Sequence, residues 1–180
     1  MKKLVLTFVL ALLVAPAAAL ADEPTPTDQQ NAAKRCAALR TAMGETNFKT
    51  TYGTNANKSN AFGKCVSKLA GEEAEDRDEA SQACTAERDD ANFAASHGGK
   101  TFTQFYGTGP KGANAFGKCV SSQAKAASTE EQQATVNAAK QCRTEQKADP
   151  AAFKTKYGTN ASKSNAFGKC VSAKAKAQQD

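Results

Sequence analysis

The sequence predicts an all-α protein, in which three tandem, disulfide-stapled helical-hairpin repeats follow a cleaved signal peptide. Three observations lead to this fold class. The eight residues NAFGKCVS occur unchanged at 60–67, 114–121 and 165–172, which marks an internal repeat. Each copy of this block contains one cysteine and has a second cysteine upstream, a pattern typical of a disulfide framework. The N-terminus has the layout of a secretory signal.

The N-terminal segment, residues 1–21, predicts export. Lys2 and Lys3 precede the apolar run LVLTFVLALLV, and the small residues ALA at 19–21 fit a cleavage site after Ala21. An uncleaved membrane anchor is the alternative, but a spanning helix needs about 20 apolar residues and this run is shorter. We therefore expect a secreted or periplasmic protein whose mature chain has no transmembrane segment.

The repeat divides the mature chain into segments of different charge. Residues 29–70 carry seven basic side chains and one acidic, and residues 128–180 carry nine basic and five acidic. Between them, residues 71–127 carry six basic and nine acidic side chains, so neighbouring segments could also neutralise each other. The predicted organisation is a tail at 22–27, repeat 1 at 28–70, repeat 2 at 71–127, and repeat 3 with a polar C-terminal tail at 128–180.

The six cysteines are predicted to pair within each repeat. If the three units fold alike, each must close on itself, and an exported chain meets an oxidising environment in which disulfides persist. The pairs are then Cys36–Cys65, Cys84–Cys119 and Cys142–Cys170. A metal site would need clustered ligands, whereas neighbouring cysteines are at least 19 positions apart and His97 is the only histidine. We expect no metal and no cofactor.

The segments upstream of the blocks are predicted to be helices. In the first, apolar residues recur at helical spacing, Thr27 and Gln30 form a capping-box pattern, and Gly44 is a natural end. Ser128 and Glu131 form the same pattern in the third. The second is an acidic helix from Glu72 to about Asp90, and its run EEAEDRDE is typical of a solvated helix face because it lacks a calcium-loop pattern.

Each block is predicted to form a short helix, a loop and a final helix. In the first copy Phe48 and Tyr52 share a face, and Gly53 ends the short helix. The final helix is expected to bury Phe62 and Cys65 and to need Gly63 for a close approach. It is expected to be capped by an Asn, with Ser59 and Ser164 as the alternative caps. A left-handed turn is expected two residues after each YG, at Asn55, Gly109 and Asn160.

Binding is favoured over catalysis by the residues available. A triad or a cysteine–histidine pair would have to use His97, which lies in an insertion found only in repeat 2, so we predict no enzyme activity. Each block instead offers an aromatic residue, a loop and lysines that could meet an anionic polymer, three weak sites acting together. The alternative is that the tyrosines cover the core and the lysines confer solubility. The candidate binding residues are Tyr52, Lys58, Lys64, Tyr106, Lys111, Lys118, Tyr157, Lys163 and Lys169.

The block F-x3-Y-G…NAFGKCVS with its upstream cysteine resembles uncharacterised small exported bacterial proteins with paired-cysteine helical repeats. The resemblance covers the mature repeats and implies no activity. Together with the charge distribution, the sequence predicts an exported, non-catalytic protein that associates with anionic cell-wall or membrane-surface polymers. Nucleic acid is not an expected partner, given the export signal and the modest charge. The alternatives are a soluble spacer or stress-protective secreted protein and, less favoured, a hydrolytic enzyme.

Overall fold

A computed structural model describes residues 23–179, and the predicted signal peptide and its cleavage site lie outside the described residues. Every regular element between residues 23 and 179 is helical, which confirms the predicted all-α class. None of these helices is long and apolar enough to cross a membrane. The helices are α1 Pro26–Met43, α2 Glu45–Tyr52, α3 Ala61–Asp89, α4 Phe93–Ser96, α5 Phe102–Tyr106, α6 Ala115–Ala148, α7 Pro150–Tyr157 and α8 Ala166–Lys176, with a 3-10 turn at Pro110–Gly112.

Two long helices, α3 and α6, form an antiparallel hairpin that organises the molecule. Each one begins in one block and continues without a break into the upstream segment of the next repeat. The predicted repeat boundaries, 70/71 and 127/128, therefore fall inside helices. No proline interrupts either stretch, and both are rich in residues that favour helix. The predicted capping box at Ser128 is wrong for this reason, since Ser128 lies within α6.

Helix α1 begins two residues earlier than its predicted capping box. The capping residue is Thr25, whose hydroxyl accepts from the N–H of Asp28 while the Asp28 carboxylate accepts from the N–H of Thr25. Pro26 at the first helical position favours this start, because its fixed φ suits a helix and it has no N–H to leave unpaired. The predicted end is correct, since Gly44 terminates α1 with a φ of 79°.

The three disulfides are the pairs expected from the repeat: Cys36–Cys65, Cys84–Cys119 and Cys142–Cys170. They do not staple three separate cores. Leu39, Met43 and Phe48 of the first segment pack in one core with Phe153 and Phe167 of the third. The second disulfide has its own small core at the other end of the α3–α6 hairpin. Units of this size bury little apolar surface alone, so the sharing of one core adds stability.

The three blocks have the same local contacts. In each, the rings of the Phe and Tyr on the short helix lie 5.0 Å apart. The block asparagine occupies the N-cap position of each final helix as predicted, but its side chain makes no capping hydrogen bond to the helix. In the first copy the Asn60 carboxamide instead accepts from the Thr54 N–H and donates to its hydroxyl, which closes the loop. The other two copies repeat this arrangement, with Asn114 on Thr108 and Asn165 on Thr159.

The left-handed turn occurs three residues later than predicted in all three copies, at Lys58, Gly112 and Lys163. In the second copy Lys111 also has a positive φ, and the predicted positions Asn55, Gly109 and Asn160 do not. The glycine that ends the short helix is needed for space, because a Cβ on Gly53 would lie 2.7 Å from both the Lys49 carbonyl oxygen and the Lys58 Cβ. The loop residue in the left-handed region is thus packed against the glycine.

Identical blocks lie in different surroundings. Phe62 is 38% exposed, whereas Phe167 at the same block position is 3% exposed. A Cβ on Gly63 would meet nothing within 4 Å, so the predicted close approach is wrong there. Of the three block glycines, Gly63, Gly117 and Gly168, only Gly168 has such a neighbour among the described residues, the Thr51 methyl group at 3.2 Å. The docking of α2 against α8 therefore distinguishes the third copy.

Candidate anion-binding groove

The predicted binding tyrosines are half-buried and engaged within the fold. The hydroxyl of Tyr106 donates to Glu87 at 2.7 Å, and that of Tyr157 donates to Glu145 at 2.8 Å. Burial, followed by the charge of Glu72, raises the pKa of Tyr52 to about 12. In this position the tyrosines cover the core beside each disulfide.

The predicted binding lysines fall into two groups. Lys58 and Lys163 turn back onto their own loops, where their ammonium groups donate to the carbonyls of Gly53 and Gly158 at 3.0 and 2.9 Å. The remaining members of the predicted set are exposed: Lys64, Lys111, Lys118 and Lys169. All six belong to the loops or to the starts of the final helices, so the structure spreads them over three separate places.

A different set of cations converges where α1 meets the C-terminal half of α6. Lys140, Arg143 and Lys147 lie at steps of three and four, so they share one face of α6. They face a wall of small α1 residues across a shallow groove of about 670 Å³. We call this the basic groove; its lining is Ala38, Thr41, Ala42, Val136, Lys140, Arg143, Thr144 and Lys147.

In the part of the chain that the structure describes, no acidic residue lines the basic groove. Its three cations form no ion pair with any residue among those at 23–179. The adjoining surface contains one carboxylate, Glu45, which is already held by Arg40 at 2.5 Å and Lys49 at 3.2 Å. Three neighbouring positive charges without counter-charges give the groove a positive potential that favours anions.

Arg143 is placed by the end of α1. A Cβ on Gly44 would lie 3.4 Å from the Arg143 guanidinium carbon, so the glycine leaves room for the guanidinium to lie across the helix end. Just beyond, the Asn47 amide donates to Gln146 at 2.8 Å, which ties the start of α2 to the same helix. The guanidinium can accept a carboxylate or a phosphate with two hydrogen bonds.

A buried ionic cluster sets the position of α1 against α3 and α6. Arg35 of α1 is 4% exposed and donates to Glu73 of α3 at 2.8 Å and to Glu131 of α6 at 3.2 Å. Ser128 donates to the same Glu73 oxygen at 2.7 Å. Burial opposes the charge of Arg35, but the bonds and charge of Glu73 outweigh it and raise the pKa of Arg35. One cation thus joins all three helices.

The acidic run of α3 is not the solvated face that the sequence predicts. Glu73 and Asp76 are both 8% exposed, because α1 and α6 cover this side of α3. Arg77 of the same run pairs with Asp28 of α1, and hydrogen bonds from Thr25 and Arg77 keep the pKa of Asp28 low despite burial. The charged residues at this junction hold helices together.

The structure also bears on two further points of the sequence analysis, the role of His97 and the presence of metal ligands. The ring of His97 stacks on Phe93 at a centroid distance of 3.7 Å, and its Nδ1 lies 2.8 Å from the Phe93 carbonyl oxygen. Phe93 belongs to the small core around Cys84–Cys119, and His97 packs on its ring. Within residues 23–179 no group of His, Cys, Asp and Glu is arranged to hold a metal ion.

Sequence reasoning missed the basic groove because it concentrated on the repeated block. Lys140, Arg143 and Lys147 lie in the upstream segment of repeat 3, which the sequence predicts to be a helix held by the Cys142–Cys170 disulfide. The spacing alone indicates a shared helical face without an acidic residue. Only the structure shows that this face borders α1 rather than open solvent. Comparison with protein-family models, with curated proteins and with solved structures finds no match.

Proposed function

We propose that the protein is an exported, non-catalytic repeat protein that binds anionic polymers of the cell envelope through the basic groove. The observation that carries the proposal is the set of three cations, Lys140, Arg143 and Lys147, without ion-pair partners in residues 23–179. Export is supported by the N-terminal sequence pattern and by three disulfides, which suit an oxidising compartment.

The groove joins the two basic repeats. Its α1 wall belongs to repeat 1 and its α6 wall to repeat 3, the segments in which basic residues outnumber acidic ones. An open groove with small side chains on one wall suits a chain that lies along it, whereas a small molecule needs an enclosed pocket. Each exposed charge contact contributes modestly, so a polymer that makes several contacts at once gains the most.

The experiment is a titration of the oxidised protein with long-chain inorganic polyphosphate at several salt concentrations. The variant K140Q/R143Q/K147Q is compared with K64Q/K118Q/K169Q, which loses the same charge from the three blocks. We expect the groove variant to lose affinity on the order of tenfold, from three contacts of roughly 0.5 kcal/mol each, and the block variant to bind normally.

The two variants separate the possible outcomes. A loss confined to the block variant would refute the groove and favour the repeated Tyr/Lys sites. Equal losses in both would mean that net charge alone attracts the polymer. If the unmodified protein does not bind at low salt, the polymer-binding function is wrong and the spacer or protective role remains.

A further inference from the structure

The basic groove is not an isolated depression, because a second groove lies between the same two helices. This second groove, of about 490 Å³, is bordered by the N-terminal half of α1 and by residues 120–132 of α6, with Glu73 and Arg77 of α3 at its base. It contributes two more cations, Lys34 from α1 and Lys125 from α6. Neither forms an ion pair with another residue in the described range 23–179.

Helices α1 and α6 run side by side in the same direction. Arg35 contacts Glu131, 96 positions later, and Asn47, just after α1, contacts Gln146, 99 positions later. A nearly constant offset along the chain means that both helices advance together. The seam between them therefore extends from the start of α1 to its end.

The two grooves lie end to end on the same side of this seam. The α1 residues at 27, 31, 34, 38 and 41 line them in turn, at steps of four, three, four and three. The α6 residues at 125, 129, 132, 136, 140, 143 and 147 do the same. Steps of three and four keep side chains on one face of a helix, so each wall is a single stripe.

The carboxylates at the base of the second groove are already neutralised. Asp28 pairs with Arg77, and Glu73 pairs with Arg35. Among the residues of 23–179 that line the two grooves, the charged side chains without an ion-pair partner are all cations: Lys34, Lys125, Lys140, Arg143 and Lys147. From Lys125 to Lys147 the helix rises about 33 Å at 1.5 Å per residue.

We infer that the two grooves form one continuous track that holds a single linear polyanion along the whole α1–α6 seam. This inference rests on the proposed function and names the form of its ligand. Packed helices have axes only about 8–10 Å apart, so the groove between them has room for one extended chain and not for a duplex. The positive charges follow this line, and the ligand must therefore be a flexible single chain with regularly spaced anionic groups.

The test compares two lengths of one polymer. Binding of tripolyphosphate and of polyphosphate chains much longer than 33 Å is measured for the unmodified protein, for K34Q/K125Q and for the charge-matched control K64Q/K118Q. We expect the far-end variant K34Q/K125Q to weaken long-chain binding about fivefold. The slope of log affinity against log salt should fall by about 1.4, since two phosphate contacts are lost at about 0.7 each. Tripolyphosphate binding should not change, because the cations of the basic groove are intact.

A long polyphosphate chain offers more phosphate groups at which binding can begin than tripolyphosphate does. This advantage is the same for the unmodified protein and for both variants, so the comparison between the proteins controls for it. A K34Q/K125Q variant that binds long chains normally would overturn the track and leave the basic groove as a local site. Equal affinity of the unmodified protein for both lengths would overturn it as well. Absence of binding by either polymer would instead refute the proposed function itself. Circular dichroism confirms that each variant is folded.

Discussion

Asp76 is buried among the charged residues of the α1–α3–α6 junction, and its replacement by Asn has a clear expected effect. Its side chain is 8% exposed, and its buried Oδ2 accepts no hydrogen bond from any residue of 23–179. Burial, then Glu131 of α6, raises its pKa to about 7, with Glu73 and Glu79 of α3 adding to the effect and Arg35 of α1 opposing it.

The sign of the pH dependence follows from these values. The unfolded pKa is near 3.8, below the folded value of about 7, so the folded state binds the proton more tightly. Below pH 4 Asp76 is protonated, and its contribution to the free energy of unfolding is fully present. This contribution is lost as the pH rises to about 7, because the buried carboxyl group must then ionise. A difference of about three between the pKa values corresponds to at most about 4 kcal/mol. Because Asn still buries an amide, we expect Asp76→Asn to stabilise the fold by about 2–4 kcal/mol at pH 8.

The assay is urea denaturation of the oxidised protein at pH 4.5 and pH 8, for the unmodified chain, Asp76→Asn and Glu75→Gln. Glu75 is exposed on the same helix and serves as the control for loss of one negative charge. The free energy of unfolding of Asp76→Asn should exceed that of the unmodified protein at pH 8 and approach it at pH 4.5. An Asp76→Asn protein that is less stable at pH 8, or that keeps the full pH dependence, would refute the reasoning.

Three further predictions concern stability. Removal of the second disulfide in C84S/C119S should lower the free energy of unfolding by about 3–4 kcal/mol. Because its core is separate, the end of the α3–α6 hairpin should open first, which hydrogen exchange of the α4 and α5 amides measures. A uniform loss of protection over the whole molecule would contradict this. Arg35→Met should destabilise by about 3–5 kcal/mol in urea because its buried carboxylate partner stays charged, and an unchanged midpoint would show that the cluster is dispensable. Gly63→Ala should increase the free energy of unfolding by about 1 kcal/mol and raise the melting temperature, because space is open at Gly63. Gly53→Ala should lower the melting temperature, because its Cβ would contact Lys49 and Lys58. The opposite order of melting temperatures would contradict these contacts.

Features that depend on residues close in sequence could be predicted. The Phe48–Tyr52 pair, the end of α1 at Gly44 and the three disulfides all follow from local spacing or from the repeat itself. Even so, the block asparagines take the predicted N-cap position without the predicted side-chain bond to the helix. The same asparagine carboxamide could cap the helix or close the loop, and the sequence does not distinguish these two roles. The bonds of Asn60 to Thr54, and their counterparts in the other copies, show that it closes the loop.

Features that depend on contacts between repeats could not be predicted. Ser128 and Glu131 match a capping box, which predicts the start of a helix if repeat 2 ends at residue 127. In the structure α6 continues through Ser128 without a break. Whether Glu73 faces solvent or Arg35 depends on how α1 docks, which periodicity does not encode. The basic groove has the same origin, since Lys140 and Thr41 come from different repeats.

The most direct test of the proposed function is co-sedimentation of the oxidised protein with purified cell envelopes at low and then high salt. The unmodified protein should sediment at low salt and be released at high salt, because the contacts are ionic and screened by added ions. K140Q/R143Q/K147Q should stay largely in the supernatant under both conditions. Sedimentation of that variant to the same extent as the unmodified protein would contradict binding through the basic groove.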